Sequence, residues 1–449
     1  MNEKIYHFSS SLRAFFRWSL FGILTGVIAG GIASAFDLAL QWANACRISH
    51  PRIFLGLPLA GLVISWLYYH LGEKGDQGTN LVIESIRKKE YIPWYVAIRI
   101  FFATFLTHLF GGSAGREGAA LQMGGSISST IARFLRSWKL DRNAVIMTGM
   151  AATFSALFGT PLAATVFALE MVNVGEIYYA ALVPCSFAAV VGLMMARFLG
   201  VEAEHFTMPY VPDLTPYNLI MAILLAVCCT LVGIIFCIIL KRSHKFFHEP
   251  FWNHYAAVFT AGCLLVLLNL AVHSTDYMGA GMHVIAEAVG SRARPEAFIL
   301  KILFTAITLG SCYKGGEIVP SFFIGATFGC TFGRLVGFFS PGVFACLGMV
   351  SVFCSVTNCP IASLLIAAEL FGFDGIYYFL VCISVSYMLS GRFSLYSSQK
   401  ILHDKTMETT DSPSVLFHEK ESDGAEDDHA GPDDAHKAQP LMEEQGREE

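Results

Sequence analysis

Apolar runs with few charges follow one another along most of this chain, at 15–44, 54–69, 93–110, 143–199, 217–240, 255–272, 297–311 and 318–389. A backbone in lipid has no water to receive its N–H and C=O groups, so runs of this length read as membrane helices. The composition agrees: 54% hydrophobic, only 14% charged, and a mean hydropathy of +0.54, far more apolar than a soluble domain needs. Some runs are too long for a single crossing, and others are cut by Gly or Pro. Tilted and broken helices around a polar cavity are therefore expected, because irregular backbone at membrane depth survives only where protein or water satisfies it. The first run is too long for a signal-peptide core and has no convincing cleavage site, so it is kept as a membrane helix. The fold class is all-α and polytopic.

The formal net charge of -5 is concentrated in the acidic stretch after Lys405. Without that stretch the membrane part is mildly basic. Lys4, Arg13 and Arg17 precede the first run, and Lys241, Arg242 and Lys245 follow the run 217–240, which suits cytoplasmic positions. Low hydrophobicity and many acids predict a disordered tail over 403–449. The twelve cysteines are scattered through apolar runs without metal-ligand spacing and read as buried small hydrophobes. No HExxH pattern or Ser-His arrangement stands out, so neither an enzyme nor a metal or other cofactor is expected, and nothing points to nucleic acid.

The chain repeats itself. Gly115, Glu117 and Gly125 recur as Gly315, Glu317 and Gly325, and Gly149, Met150, Phe154, Pro161, Ala163 and Glu170 recur as Gly348, Met349, Phe353, Pro360, Ala362 and Glu369. Order and spacing are kept with one deletion between the blocks. The division that follows is a cytoplasmic N-terminus (1–14), a first membrane repeat (15–210), a second (211–402) and the tail. The first helix of the first half leaves the side of the basic N-terminus, whereas 217–240 ends in basic KRSHK. That is the charge signature of an inverted repeat, an arrangement in which broken helices meet near the midplane around a substrate.

The stretch GGSAGREGAALQM, from Gly111 to Met123, puts Arg116 and Glu117 among glycines where one apolar run breaks and another begins. Ionisable groups in a membrane line a pathway or find a partner. A helix starting at Glu117 aims its free N–H groups and positive dipole end at that place, which attracts anions. Glu117 either favours its own helix end through the dipole or, as preferred here, occupies an anion site when charged and leaves it when protonated. In the second half, GGEIVPSFFIGATFG places Glu317 before a helix whose first amides, on Ile318 and Val319, point toward the same centre. Glu317 is either structural or a second titrating group. The run around Gly75, Gln77, Gly78, Thr79 and Asn80 reads as an ordinary loop or as the lining of an inner mouth, and Tyr396 as an interfacial tyrosine or a hydroxyl donor to an anion. The small-residue runs around Gly124–Gly125 and Gly325–Gly333 read as close helix contacts, and the pair Glu170 and Glu369 as caps or anchors.

Together, GGSAGREGAALQMGG, GMAATFSALFGTPLAATVFALE, GGEIVPSFFIGATFG and the late Tyr396 resemble the CLC family of chloride channels and anion/proton exchangers. The resemblance runs from about Phe15 to Leu402. It implies a homodimer with one pore per subunit, each subunit an inverted repeat of tilted, half-spanning helices in the lipid bilayer. It also implies that Glu117 is the gating glutamate, that Ile318 and Val319 supply anion-coordinating amides, and that Tyr396 is the central tyrosine. Gly115, Arg116, Gly118, Ala119, Gln77, Gly78 and Asn80 fall in the other anion-binding motifs. Chloride members usually have GSGIP where this chain has DQGTN, and GREGP where it has Ala119. Both changes put an N–H where proline has none. GREGxxxQMGG with GGExxPxFFIGAT is similar to the fluoride-exporting branch, in which an acid at the position of Glu317 contributes to proton coupling. Val319 departs from the threonine of that branch, and Met171 follows Glu170 where proton-coupled chloride members often carry an internal acid. The expectation is a fluoride/proton antiporter, with a chloride/proton exchanger or voltage-gated chloride channel as the alternative. Its expected partners are fluoride or chloride and the proton. Its expected place is the inner (plasma) membrane of a prokaryote, with both termini cytoplasmic. A membrane scaffold signalling through the acidic tail is a third reading, with only the tail in its favour.

Overall fold

In the computed structural model residues 2–70, 78–208, 211–248, 253–337, 340–403 and 405 are described. Their helices form two series of eight. The first is α1 (Asn2–Ser49), α2 (Leu57–His70), α3 (Asn80–Lys88), α4 (Trp94–Leu109), α5 (Glu117–Phe134), α6 (Arg142–Phe158), α7 (Pro161–Glu170) and α8 (Leu182–Phe198). The second is α9 (Pro216–His248), α10 (His254–Val272), α11 (Met282–Val289), α12 (Ala297–Gly310), α13 (Ile318–Leu335), α14 (Pro341–Thr357), α15 (Pro360–Phe371) and α16 (Ile376–Leu389). The series match best at their centres: α5 and α13 each have 18 residues, and α6 and α14 each have 17. Six described helical segments are long and apolar enough to cross a membrane; others, such as α7 and α15, are half that length or little more.

The long apolar runs break where the local chemistry demands it. Run 143–199 is cut at Gly159, whose φ of 75° closes α6 in the left-handed region, and at Pro161, which opens α7 where no N–H is missed. Run 318–389 is cut at the corresponding places, by Asn358 at φ 59° and Pro360. The first helix begins at Asn2, earlier than the apolar run suggested, because residues 2–14 contain neither Gly nor Pro to stop it. Besides the helices there is one short parallel pair, β1 (Asn173–Val174) with β2 (Lys400–Ile401). It fastens the chain beyond Tyr396 beside the end of α7.

Layering follows from the apolar pattern. On α6 every residue from Ala144 to Phe158 is buried, and α5, α13 and α14 are nearly as enclosed. Around them α1, α2, α9 and α10 leave Leu231, Ile235, Leu267 and Leu59 exposed, a surface suited to lipid. The inner pairs cross at glycines. A side chain on Gly124 would run into the carbonyl of Gly149 and one on Gly149 into that of Gly124; Gly325 and Gly348 repeat the arrangement between α13 and α14. Small residues at such crossings are what permits backbone contact.

The two series are also laced together. Glu170, ending α7, accepts hydrogen bonds from the amides of Ile361 (3.1 Å) and Ala362 (2.9 Å) at the start of α15. Glu369, near the end of α15, accepts from Leu162 (3.0 Å) and Ala163 (2.8 Å) at the start of α7. Each half thus caps a helix of the other, and the capping reading of this pair holds.

Candidate functional site

The loops that precede α5 and α13 meet at the centre of the molecule. Gly115 and Gly316 exchange backbone hydrogen bonds, N–H to O at 2.7 Å in both directions, so a single antiparallel bridge joins the repeats. Both loops are anchored in the same manner. The amide of Ser113 donates to the Thr308 hydroxyl (3.1 Å) on α12, and the amide of Lys314 donates to the Thr107 hydroxyl (3.2 Å) on α4. Threonines of one half therefore hold the loop of the other.

Glu117 is wholly buried at this junction. Its Oε2 accepts the amide of Arg116 at 3.1 Å and, from the other repeat, the amide of Val319 at 3.3 Å, while Oε1 has no hydrogen-bond partner. The carboxylate thus sits in a nest of amides made by the first turns of two facing helices, whose dipoles both favour negative charge. Close backbone approach makes room for it. A Cβ on Gly115 would collide with Oε2, and one on Gly316 would lie 2.9 Å from Oε2 and 2.8 Å from the Glu117 nitrogen.

Glu317 lies one step away. A Cβ built on Gly118 would stand 3.1 Å from Glu317 Oε2 and 2.7 Å from the Thr79 hydroxyl, which brings Gly118, Glu317 and Thr79 to one spot. Below them opens a cavity of about 350 Å³, lined by Thr79, Asn80, Glu84, His244, Lys314 and Glu317 among others. His244 stacks on His248, four residues on along α9, at 3.9 Å. The segment after Tyr396 also lines the cavity: the Ser398 amide donates to Asn80 Oδ1 (3.0 Å) and its hydroxyl to Glu84 Oε1 (3.2 Å). Tyr396 itself is 1% exposed and its hydroxyl has no hydrogen-bond partner.

Most of the residues singled out in the sequence meet around one centre: Gly115, Gly118 and Val319 lie against the two acids Glu117 and Glu317, Gly78 and Asn80 line the cavity with Glu317, Ile318 starts α13, and Tyr396 is buried just before the segment that lines the cavity. Arg116 reaches this centre only through its backbone N–H. Its guanidinium turns away to Asp37 of α1, to Glu204 (2.7 Å) and to the Leu157 carbonyl (3.3 Å). Ala119 belongs to the apolar cluster that includes Phe36 and Ile100. Gln77 and the tail beyond Lys405 lie outside the described residues. Sequence reasoning named Thr79 only within the run that could line an inner mouth, and missed Asp37 and Glu204. Asp37 carried a usable signal, being a lone acid within an apolar run; Glu204 carried none, since a charge in a linker is ordinary.

The profile of the voltage-gated chloride channel family matches residues 60–391. This chain belongs to that family. Among CLC relatives, a protein of Pseudomonas syringae pv. tomato named chloride/fluoride channel protein is 31% identical over 396 residues, 87% of each chain. A protein of Yersinia pseudotuberculosis named H(+)/Cl(-) exchange transporter ClcA is 24% identical over 377 residues, 77% of this chain and 78% of the relative. Of solved CLC structures, one described as a CLC-type fluoride/proton antiporter superimposes with a TM-score of 0.82 at 33% identity, covering 86% of this chain and 98% of the other.

Proposed function

We propose that this CLC-type anion transporter exchanges fluoride for protons, with Glu117 as the gate and Glu317 as a second proton-carrying group. The observation that carries the proposal is the nest around Glu117 Oε2, built from an amide of each repeat, Arg116 and Val319. A charged carboxylate and a free anion compete for those donors. Protonation removes the carboxylate's claim on them, so proton and anion occupancy are coupled through one site. Glu317, at the head of the polar cavity and beside Thr79, is suited to pass a proton between Glu117 and the solution. Tyr396, Gly118, Gly78 and Asn80 line the anion's way in this reading. The names borne by the relatives at 31% and 33% identity support fluoride.

The basic ends of α1 and α9 support cytoplasmic termini, with the linker between the halves on the opposite face. The family resemblance supports a homodimer in a prokaryotic inner membrane. The test is purified protein in fluoride-loaded liposomes with a pH probe: fluoride efflux accompanied by proton uptake is expected, and chloride movement without fluoride flux would rule the proposal out. The second reading, chloride/proton exchange or a chloride channel, has the ClcA relative in its favour. A chloride reversal potential that ignores the proton gradient would select the channel form.

A further inference from the structure

Arg116 is the residue immediately before the gate, and its guanidinium is compensated in an unequal way. Two carboxylates face it. Asp37 lies within the spanning helix α1 with its side chain 2% exposed, whereas Glu204 lies in the linker between the halves with its side chain 26% exposed. Arg116, 11% exposed, bonds both and also the Leu157 carbonyl at the end of α6. The linker holds Glu204 in place. Its own amide donates to the Phe158 carbonyl (3.2 Å), and two residues on the amide of Phe206 donates to the Leu370 carbonyl (3.1 Å), so the linker is stitched to α6 and to α15. Of the groups that balance Arg116, Glu204 is thus the one in contact with solution.

We propose that Glu204 is a positioning residue for the gate: its charge, acting through Arg116, sets how strongly the amide nest retains Glu117 and so couples the gate to the solution on the linker face. This rests on the antiport reading above. With Glu204 charged, part of the Arg116 field is cancelled. With Glu204 neutral, the uncancelled guanidinium attracts the Glu117 carboxylate more strongly, and a higher proton concentration is needed to release it. The other charged or titratable groups around this pair are Asp37 from α1, Glu117 on α5, and His108 on α4, which lies within Coulombic reach of Arg116. Glu202 and His205 flank Glu204 along the linker.

The experiment measures proton-coupled fluoride flux in oriented liposomes while pH is varied on the linker face. Glu204→Gln keeps an acceptor oxygen for Arg116 and removes the charge. Its half-maximal pH is expected to move to the acid side by about half a unit or more, and Glu204→Asp is expected to restore it. In a second variant, Glu204→Cys, a negatively charged thiol reagent should bring the midpoint back toward the wild-type value and a positively charged one should push it further to acid, with wild type unaffected by either. Profiles of Glu204→Gln and wild type that superimpose, or a Glu204→Cys midpoint indifferent to the sign of the reagent, would overturn the proposal. A wild-type protein that moves anions with no proton dependence would instead sink the antiport reading itself.

Discussion

At the scale of single residues, the site depends on one carboxylate held by backbone and on the absence of side chains around it. Glu117→Gln imitates the protonated acid, so proton movement should vanish in the liposome assay while anion flux continues at a changed rate; persistent coupling would contradict the gate. Gly316→Ala tests the space. Its methyl would stand 2.6 Å from the Gly118 nitrogen and 2.8 Å from that of Glu117, so one half must shift relative to the other. Anion flux is expected to fall about tenfold or more in protein that still elutes as folded, because sub-ångström placement governs such sites. Thr79→Val removes the hydroxyl beside Glu317 while keeping its bulk. If that hydroxyl steadies the proton-carrying acid, the number of protons moved per anion should drop with anion flux largely retained, as read by a fluoride electrode and a pH probe in parallel. Glu117 and Glu317 were legible from the chain alone because charge within an apolar run is costly enough to demand a reason. Thr79 was legible only as one member of a run that could line a mouth, since a hydroxyl in a glycine-rich loop has many bland uses.

Among elements, symmetry is carried by a few reciprocal contacts. Glu170→Ala and Glu369→Ala each strand two amides at the start of a half-length helix of the other repeat. Each should cost about 1–3 kcal/mol, seen as a lower unfolding temperature in detergent. Glu170→Ala should be the more damaging, because Glu170 is 5% exposed and the amide of Ala362 it serves is buried. Equal melting temperatures for wild type and both variants would show that the caps are dispensable. The crossing of α5 and α6 is a second element-level contact. The recurrence of glycines at 124–125, 149, 325 and 348 announced close packing, yet which glycine faces which carbonyl depends on the crossing of the pair, and no local spacing encodes that.

For the molecule as a whole, the residues just past the second repeat still pack against its helices. His403 packs near Gly175, and the Lys405 ammonium donates to Asn358 Oδ1, to the Ser390 hydroxyl (2.8 Å) and to the Tyr387 carbonyl (3.0 Å), tying the ends of α14 and α16. Truncation directly after Lys405 should leave liposome flux at the wild-type level, whereas truncation after Leu402 should lower thermal stability; loss of transport in the longer variant would favour a working role for the tail. The amino-acid sequence by itself determined that this chain lives in a membrane, that its helices come in two related sets, and that Glu117 and Glu317 lie at helix starts. Those facts follow from hydropathy and the cost of charge, which act within a few turns of chain, and from a recurrence that can be read along it without knowing the fold. Only the tertiary structure decided that an amide of one half holds the acid of the other, that Arg116 turns its guanidinium away from the path, and that a linker acid answers it. Such arrangements join residues 79 or 202 positions apart, as in the bonds from Arg116 to Asp37 and from Val319 to Glu117, and exist only once distant helices are packed against one another.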